Sequence, residues 1–119
     1  MAIQDNNPMY RHINVSSIYQ YFGEDDTGMI KEMINIILTT NLKDLKSLHT
    51  LFSNGDFLIL TKLCHKAKPT MSYIGAHHSK KLLEKIERNP TSSDTIITEL
   101  AVQINEIEDE LKHFLANLE

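Results

Sequence analysis

The sequence predicts an all-α protein, an antiparallel up-and-down four-helix bundle with a short extra helix near the N-terminus. In each segment between turn signals, apolar residues recur at steps of three and four, which is the period of an amphipathic helix. Turn signals are few and well separated, and no segment alternates polar and apolar residues as a half-buried strand does. Helices joined by loops of a few residues pack most simply as antiparallel neighbours.

The first fifteen residues are expected to form a flexible tail, and residues 16–119 to form one helical domain. A chain of 119 residues is long enough for one hydrophobic core. The short extra helix is placed at the start of the domain, where an amphipathic segment presents Ile18, Tyr19 and Phe22.

Longer helices are predicted over residues 26–52, 57–74, 76–88 and 97–118. The first is read as uninterrupted, with an apolar surface wide enough to touch two neighbours. The second has Asp56 as its predicted N-cap and Gly75 just past its end. The last is preceded by three capping candidates, Ser92, Ser93 and Asp94.

Composition places the protein in the cytoplasm. No apolar run approaches the roughly 20 residues of a membrane-spanning helix, and the first fifteen residues lack the apolar stretch of a secretory signal. The single cysteine, Cys64, cannot form an internal disulfide, which agrees with a reducing compartment. It lies on the apolar stripe of its helix, so we expect a core residue rather than a nucleophile.

Charge is unevenly distributed along the chain. The net charge is −4, yet residues 62–88 contain seven basic and two acidic residues and are therefore +5, while the remainder is −9. The basic segment indicates either an anion-facing surface or the solvated face of a helix. Nucleic-acid or polyanion binding is the least favoured function, because the protein as a whole is acidic.

Signatures of catalysis and metal binding are missing from the sequence. There is no glycine-rich phosphate loop, no HExxH and no CxxC, and the chain has only four glycines. No two of the six histidines stand three or four residues apart, the spacing that lets two imidazoles on one helix share an ion. The sequence therefore predicts neither nucleotide hydrolysis, nor self-phosphorylation, nor a metal site.

His65 stands out by its position. It lies one step off the apolar stripe of its helix, so it should be at least partly exposed, and Lys68 lies one turn further on the same face. A neutral imidazole offers an unprotonated nitrogen that can attack phosphorus, and an ammonium can offset charge on phosphoryl oxygens. The pair forms a minimal phosphoryl acceptor, with two solvated surface residues as the alternative.

The segment CHKAKPTMSYIGA, residues 64–76, resembles the signature of histidine-containing phosphotransfer (HPt) domains of bacterial two-component phosphorelays. That signature has a His, a Lys three positions on, then a small residue, and an apolar residue with Gly-Ala closing the helix. These positions are occupied here by His65, Lys68, Pro69, Ile74, Gly75 and Ala76. The resemblance extends to size and helix order, over roughly residues 16–118.

The resemblance implies a phosphocarrier in signal transduction, with no kinase or phosphatase activity of its own. His65 would accept a phosphoryl group from a receiver-domain aspartate of a response regulator and pass it to another receiver, and Lys68 would stabilise that group. A Gln or Glu on the next helix would bond the other ring nitrogen; Glu87 is the first candidate and Glu84 the second. A solvent-facing carboxylate paired with a neighbouring Lys is the alternative for this position.

The family resemblance also implies the partners. These are receiver domains and a hybrid sensor histidine kinase, of which the domain could itself be a part, and the domain is expected to be a monomer. The Mg²⁺ belongs to the receiver, so no cofactor is expected here. Candidate docking residues surround His65 and include the short first helix: Leu58, Thr61, Lys62, Lys66 and Ser72, with Ile18, Tyr19 and Phe22. For the apolar residues among them, an ordinary place in the core is the alternative.

Pro69 departs from the family pattern. A proline inside a helix removes the amide hydrogen that would bond the carbonyl four residues back, here that of His65, so we predict a kink. A helix that breaks near Lys68 and restarts is the alternative. A second function also stays open, that of a phosphorylation-independent helical adaptor that binds a receiver or another signalling protein through the same surface.

Overall fold

All regular structure in the described part of the chain is helical, which confirms the all-α class. The computed structural model describes residues 10–118, so most of the predicted tail lies outside the described residues. The helices are α1 (Val15–Phe22), α2 (Thr27–Thr39), α3 (Asn41–Leu45), α4 (Leu48–Ser53), α5 (Phe57–Tyr73), α6 (His77–Arg88) and α7 (Asp94–Ala116), with a 3-10 turn at Pro90–Ser92. Within residues 10–118, no helix combines the length and hydropathy needed to cross a membrane.

The single helix predicted over residues 26–52 is wrong, because the chain breaks twice to form α2, α3 and α4. At the first break, the Thr40 hydroxyl donates to the Ile36 carbonyl at 2.6 Å. At the second, the Ser47 hydroxyl donates to the Asp44 carbonyl at 2.7 Å. Such local bonds compete with the regular backbone ladder. The three pieces still face one core, so the apolar pattern carries no trace of the breaks.

Helix α5, which carries His65, forms as predicted and ends in a Schellman motif. The Ala76 amide donates to the Met71 carbonyl at 2.8 Å, and the Gly75 amide donates to the Ser72 carbonyl at 3.2 Å. Gly75 has φ +74°, a left-handed conformation that suits glycine at this position. At the other end Asp56 occupies the N-cap position, but its side chain makes no capping hydrogen bond.

Helix α5 continues through Pro69, so the alternative of a break near Lys68 is wrong. The proline has no amide hydrogen, and the His65 carbonyl therefore lacks its usual partner four residues on. The accompanying kink stays a prediction.

Gly75 also makes room for the start of α1. The backbone amide of Asn14 donates to the Ile74 carbonyl at 2.8 Å. A Cβ atom placed on Gly75 would lie 2.5 Å from the Asn14 Cβ and 2.9 Å from the Ser17 hydroxyl. Since real Cβ atoms do not approach that closely, only glycine lets these two segments meet here.

The N-terminal segment, residues 10–14, lies against α7. Three successive backbone amides, those of Arg11, His12 and Ile13, donate to the Glu110 carboxylate at 2.8, 3.0 and 3.0 Å. The Ile13 side chain is buried in the core. For these residues the structure differs from the flexible tail that the sequence predicts, because a carboxylate far along the chain satisfies their amides.

The core is formed by apolar residues of every α-helix and by Ile13. Helix α5 packs against α6, α6 packs against α7, and α3 and α4 pack against both α5 and α7. One buried polar contact joins α6 to α7, where the Ser79 hydroxyl donates to the Gln103 side-chain oxygen at 2.6 Å. Because a buried donor and acceptor are costly to separate, this bond favours one register of the two helices.

Candidate functional site

His65 projects from α5 into solvent. Its neighbours Cys64 and Ala67 are buried and turn that face of the helix toward the core. The His65 side chain, one step around the helix, is 74% exposed. This is the placement that the helical period predicts.

The fold of α5 and α6 brings Glu87 to His65. The tight turn at Gly75 sends α6 back along α5, so residues at similar distances from the turn become neighbours. Glu87 stands 22 residues after His65, and its Oε2 lies 2.9 Å from the ring Nδ1. Glu84, one turn earlier on α6, makes no hydrogen bond or ion pair with any residue from 10 to 118. Of the two candidates from the sequence, Glu87 is the one that reaches the ring.

The contact with Glu87 determines which ring nitrogen is open. A carboxylate oxygen accepts hydrogen bonds, so the bond at 2.9 Å places the proton of a neutral ring on Nδ1. The lone pair is then on Nε2, for which no hydrogen-bond partner is found within residues 10–118. His65 therefore presents a nucleophilic nitrogen to solvent while its other nitrogen is held.

Lys68 meets His65 only through Glu87. Its Nζ lies 2.7 Å from Glu87 Oε1, and the exposed fractions of the two side chains are 23% and 17%. Glu87 Oε1 is buried and has no hydrogen bond in residues 10–118, so the ammonium approaches it at ion-pair distance but outside hydrogen-bonding geometry. Glu87 is thus paired with a lysine, as in the alternative from the sequence, but it faces the ring and the protein rather than solvent.

An apolar and basic surface extends from His65 toward the start of α5. Leu58 is 71% exposed, although it is a large apolar residue on a well-packed helix. Ile59 beside it is also exposed, and the sequence analysis missed it. The sequence indicated this exposure in one way, because Ile59 is an apolar residue that lies off the buried stripe of its helix. Lys62 and Lys66 are both exposed on the same helix.

The other candidate docking residues are less accessible. Thr61 donates its hydroxyl to the carbonyl four residues earlier at 2.7 Å, and Ser72 is half-buried. Ile18 is fully buried, so docking through this residue is wrong; it is a core residue of α1. Tyr19 and Phe22 are partly buried and pack against the same core.

Cys64 is excluded as a nucleophile. The thiol is fully buried, and burial raises its pKa to about 12, with the nearby Glu87 carboxylate adding to the rise. A thiol with such a pKa holds its proton at neutral pH, and the thiolate is the nucleophilic form. The structure therefore agrees with the expectation that Cys64 is a core residue.

Within residues 10–118, no cluster of three or more His, Cys, Asp or Glu side chains is arranged to hold a metal ion. The arrangement that is present is an imidazole with a carboxylate behind it. In hydrolytic triads such a carboxylate orients the ring and stabilises the imidazolium that forms during reaction. At His65 the nitrogen that does not contact Glu87 has no hydrogen-bond partner within residues 10–118 and is exposed.

Comparisons of the chain with protein-family models, with curated proteins and with solved structures found no match. A proposal for the function therefore rests on the residues of this chain and on the reaction that they could carry out.

Proposed function

We propose that this protein is a histidine phosphotransfer protein of the HPt type, which carries a phosphoryl group on His65 between receiver domains of a phosphorelay. The observation that carries the proposal is the exposed ring whose Nδ1 is held by Glu87 at 2.9 Å and whose Nε2 is open. The signature around His65 supports it independently. The domain acts as a cytoplasmic carrier and needs no kinase or phosphatase activity of its own.

The proposed step is a direct transfer from an aspartyl phosphate of a receiver. The Nε2 lone pair attacks phosphorus, the N–P bond forms, and the P–O bond to the aspartate breaks, so that the carboxylate leaves with the electron pair. The ring keeps its hydrogen on Nδ1 and gains a positive charge, which the Glu87 carboxylate offsets. In the second transfer an aspartate carboxylate oxygen of the next receiver attacks phosphorus, the P–O bond forms, and the N–P electron pair returns to Nε2. Mg²⁺ is supplied by the receiver's acidic pocket.

The surface beside His65 suits the partner that this step requires. A receiver brings an acidic pocket, and Lys62 and Lys66 supply positive charge on the exposed side of α5. Leu58 and Ile59 supply the exposed apolar area that a transient protein contact buries. A receiver that docks over this part of α5 would place its aspartate against His65.

The finer fold belongs to the same proposal. We place α2, α3 and α4 together as one side of an antiparallel four-helix bundle, with α5, α6 and α7 as the other three sides and α1 as the extra N-terminal helix. The short connections between α5, α6 and α7 and the packing of successive helices support this arrangement. In such a bundle His65 lies midway along a long helix, where a monomer leaves it accessible to a docking receiver.

The test is label transfer to the 119-residue chain. Receiver domains are phosphorylated with ³²P-acetyl phosphate, separated from excess reagent and mixed with the protein. Wild type is expected to take up label that is acid-labile and base-stable, as phosphohistidine is. His65→Gln should take up none, with its helix content by circular dichroism unchanged.

A matched control is His78→Gln, because His78 is also exposed and also lies near a carboxylate, Glu99, at 3.3 Å. It should label like wild type. Labelling of His65→Gln, or no labelling of wild type by any receiver tried, would overturn the proposal. Receiver binding that is equally strong in wild type and His65→Gln, with no label on either, would favour the adaptor function instead.

A further inference from the structure

We infer that two lysines of α5 have separate roles in the transfer: Lys68 positions the Glu87 carboxylate, and Lys62 is the ammonium that faces the phosphoryl group on His65. The inference rests on the proposed phosphotransfer function and divides a task that the sequence assigned chiefly to Lys68, with Lys62 and Lys66 in support. It follows from what each ammonium contacts before any partner arrives.

The ammonium of Lys68 is already paired with the Glu87 carboxylate. It lies 2.7 Å from Glu87 Oε1, the carboxylate oxygen that does not bond the ring. That oxygen is buried and has no hydrogen bond within residues 10–118, so Lys68 is the group that compensates its charge. Withdrawal of the ammonium would leave the buried Oε1 without a compensating charge, which is unfavourable. Lys68 therefore stays with Glu87 when a phosphoryl group approaches, and it acts on the ring through that carboxylate.

The ammonium of Lys62 is not held in an ion pair of this kind within residues 10–118. Lys62 is exposed and forms no ion pair with any residue from 10 to 118. It stands three residues before His65, which places it about one helical turn away on the same face. A flexible four-carbon side chain can cross that distance and approach the oxygens of a phosphoryl group on Nε2 without leaving any buried group unpaired.

Lys66 is the natural control for Lys62. It is exposed as well and carries the same charge on the same helix. It follows His65 directly, however, so its side chain leaves the helix about 100° further around the axis. Substitution of Lys66 removes the same charge from the protein but not from the face that carries the ring.

The first experiment is a double-mutant cycle on the rate of label transfer from a phosphorylated receiver. Lys62→Gln should slow transfer about fivefold, and Lys66→Gln should have less than about a twofold effect. Glu87→Gln and Lys68→Gln should each slow transfer about tenfold or more, since each disturbs the carboxylate behind the ring. In the Glu87→Gln background, Lys68→Gln should add less than about twofold, whereas Lys62→Gln should keep its full effect.

The second experiment reads the ring without any partner. In ¹⁵N spectra of the isolated protein, Lys68→Gln should shift the His65 ring nitrogens away from the wild-type pattern, and Lys68→Arg should restore it. Lys62→Gln should leave the pattern unchanged. A general loss of structure would also move signals of His78 and His113, so these rings serve as internal references.

The outcomes distinguish a failure of this inference from a failure of the proposed phosphotransfer function. If no receiver labels wild type, the proposed function falls, and the inference falls with it. If wild type is labelled but the effects of Lys68→Gln and Glu87→Gln multiply, the division of roles is wrong, and Lys68 acts on the phosphoryl group directly. A His65 ring spectrum that Lys68→Gln leaves unchanged would contradict the positioning role as well.

Discussion

Two of the three histidine–carboxylate pairs that join separate elements within residues 10–118 differ in how far the ring is exposed. At the candidate site, His65 Nδ1 lies 2.9 Å from Glu87, and the ring is 74% exposed. In the N-terminal segment, His12 Nε2 lies 2.6 Å from Glu106 on α7, and the side chain is only 9% exposed. The contact is nearly the same, but of these two rings only that of His65 is largely exposed. In the proposed function, this exposure distinguishes the reactive His65 from His12.

The two carboxylates, those of Glu87 and Glu106, also differ in their exposure and in their second neighbour. Glu87 is largely buried between α5 and α6 and is shared with Lys68. Glu106 is more exposed, and its second neighbour is Arg11 at 3.7 Å. Substitutions at the first pair should therefore change chemistry, whereas those at the second should change stability.

The largest effect on stability is expected at Gly75, where the two regions meet. Gly75→Ala places a methyl group 2.5 Å from the Asn14 Cβ in a left-handed backbone conformation. We expect a loss of about 3 kcal/mol or more in the free energy of unfolding by urea, from strain together with the steric clash.

Gly55→Ala is the matched control, because Gly55 has the same φ of +74° but no atom within 4 Å of an added Cβ. It should lose only the conformational part, about 1 kcal/mol. Equal losses in the two variants would show that the close approach of Asn14 to Gly75 has no energetic weight.

A smaller effect is expected at Glu110, which holds the N-terminal segment through three backbone amides. Glu110→Ala should lower the free energy of unfolding by about 1–2 kcal/mol, because amides next to the buried Ile13 lose their acceptor. Asp109→Ala removes an exposed carboxylate from the adjacent position and should change stability by less than about 0.5 kcal/mol. Label transfer to His65 should survive both substitutions, which would separate the two regions functionally.

The smallest effect is a pH dependence at Glu106. The hydrogen bond from His12, together with the charges of His12 and Arg11, lowers the pKa of this carboxyl below its ordinary value of 4.5. A carboxyl with a lowered pKa stabilises the folded state when the pH is above its ordinary pKa. This contribution disappears as the pH falls through the lowered pKa. Urea unfolding followed from neutral pH to about pH 3 should show this acid loss in wild type, and Glu106→Gln should lack part of it. An identical acid profile for the two proteins would contradict the coupling.

The sequence predicted the helices that carry the site because their apolar stripes are regular and their ends are marked by turn residues. It missed the breaks at Thr40 and Ser47 because neither break shifts the apolar period, although hydroxyl groups bond nearby carbonyls at both. A pattern of burial alone cannot distinguish one long helix from three short ones that face the same core.

The site was predicted in part. His65 and Lys68 follow from spacing on one helix, whereas Glu84 and Glu87 are one turn apart on the next helix and spacing could not choose between them. That choice depends on how α6 folds back along α5. The N-terminal segment was missed for a related reason, since its amides and its histidine find their partners on α7, 94 or more residues away.

The shared carboxylate of Glu87 has a consequence for how this chain can change over generations. A substitution there alters the ring nitrogen that it holds and the ammonium that it neutralises at once, so neither neighbour can adapt alone. Substitutions at positions 65, 68 and 87 should therefore be coupled: a change at one position is expected to be tolerated better with a matching change at another.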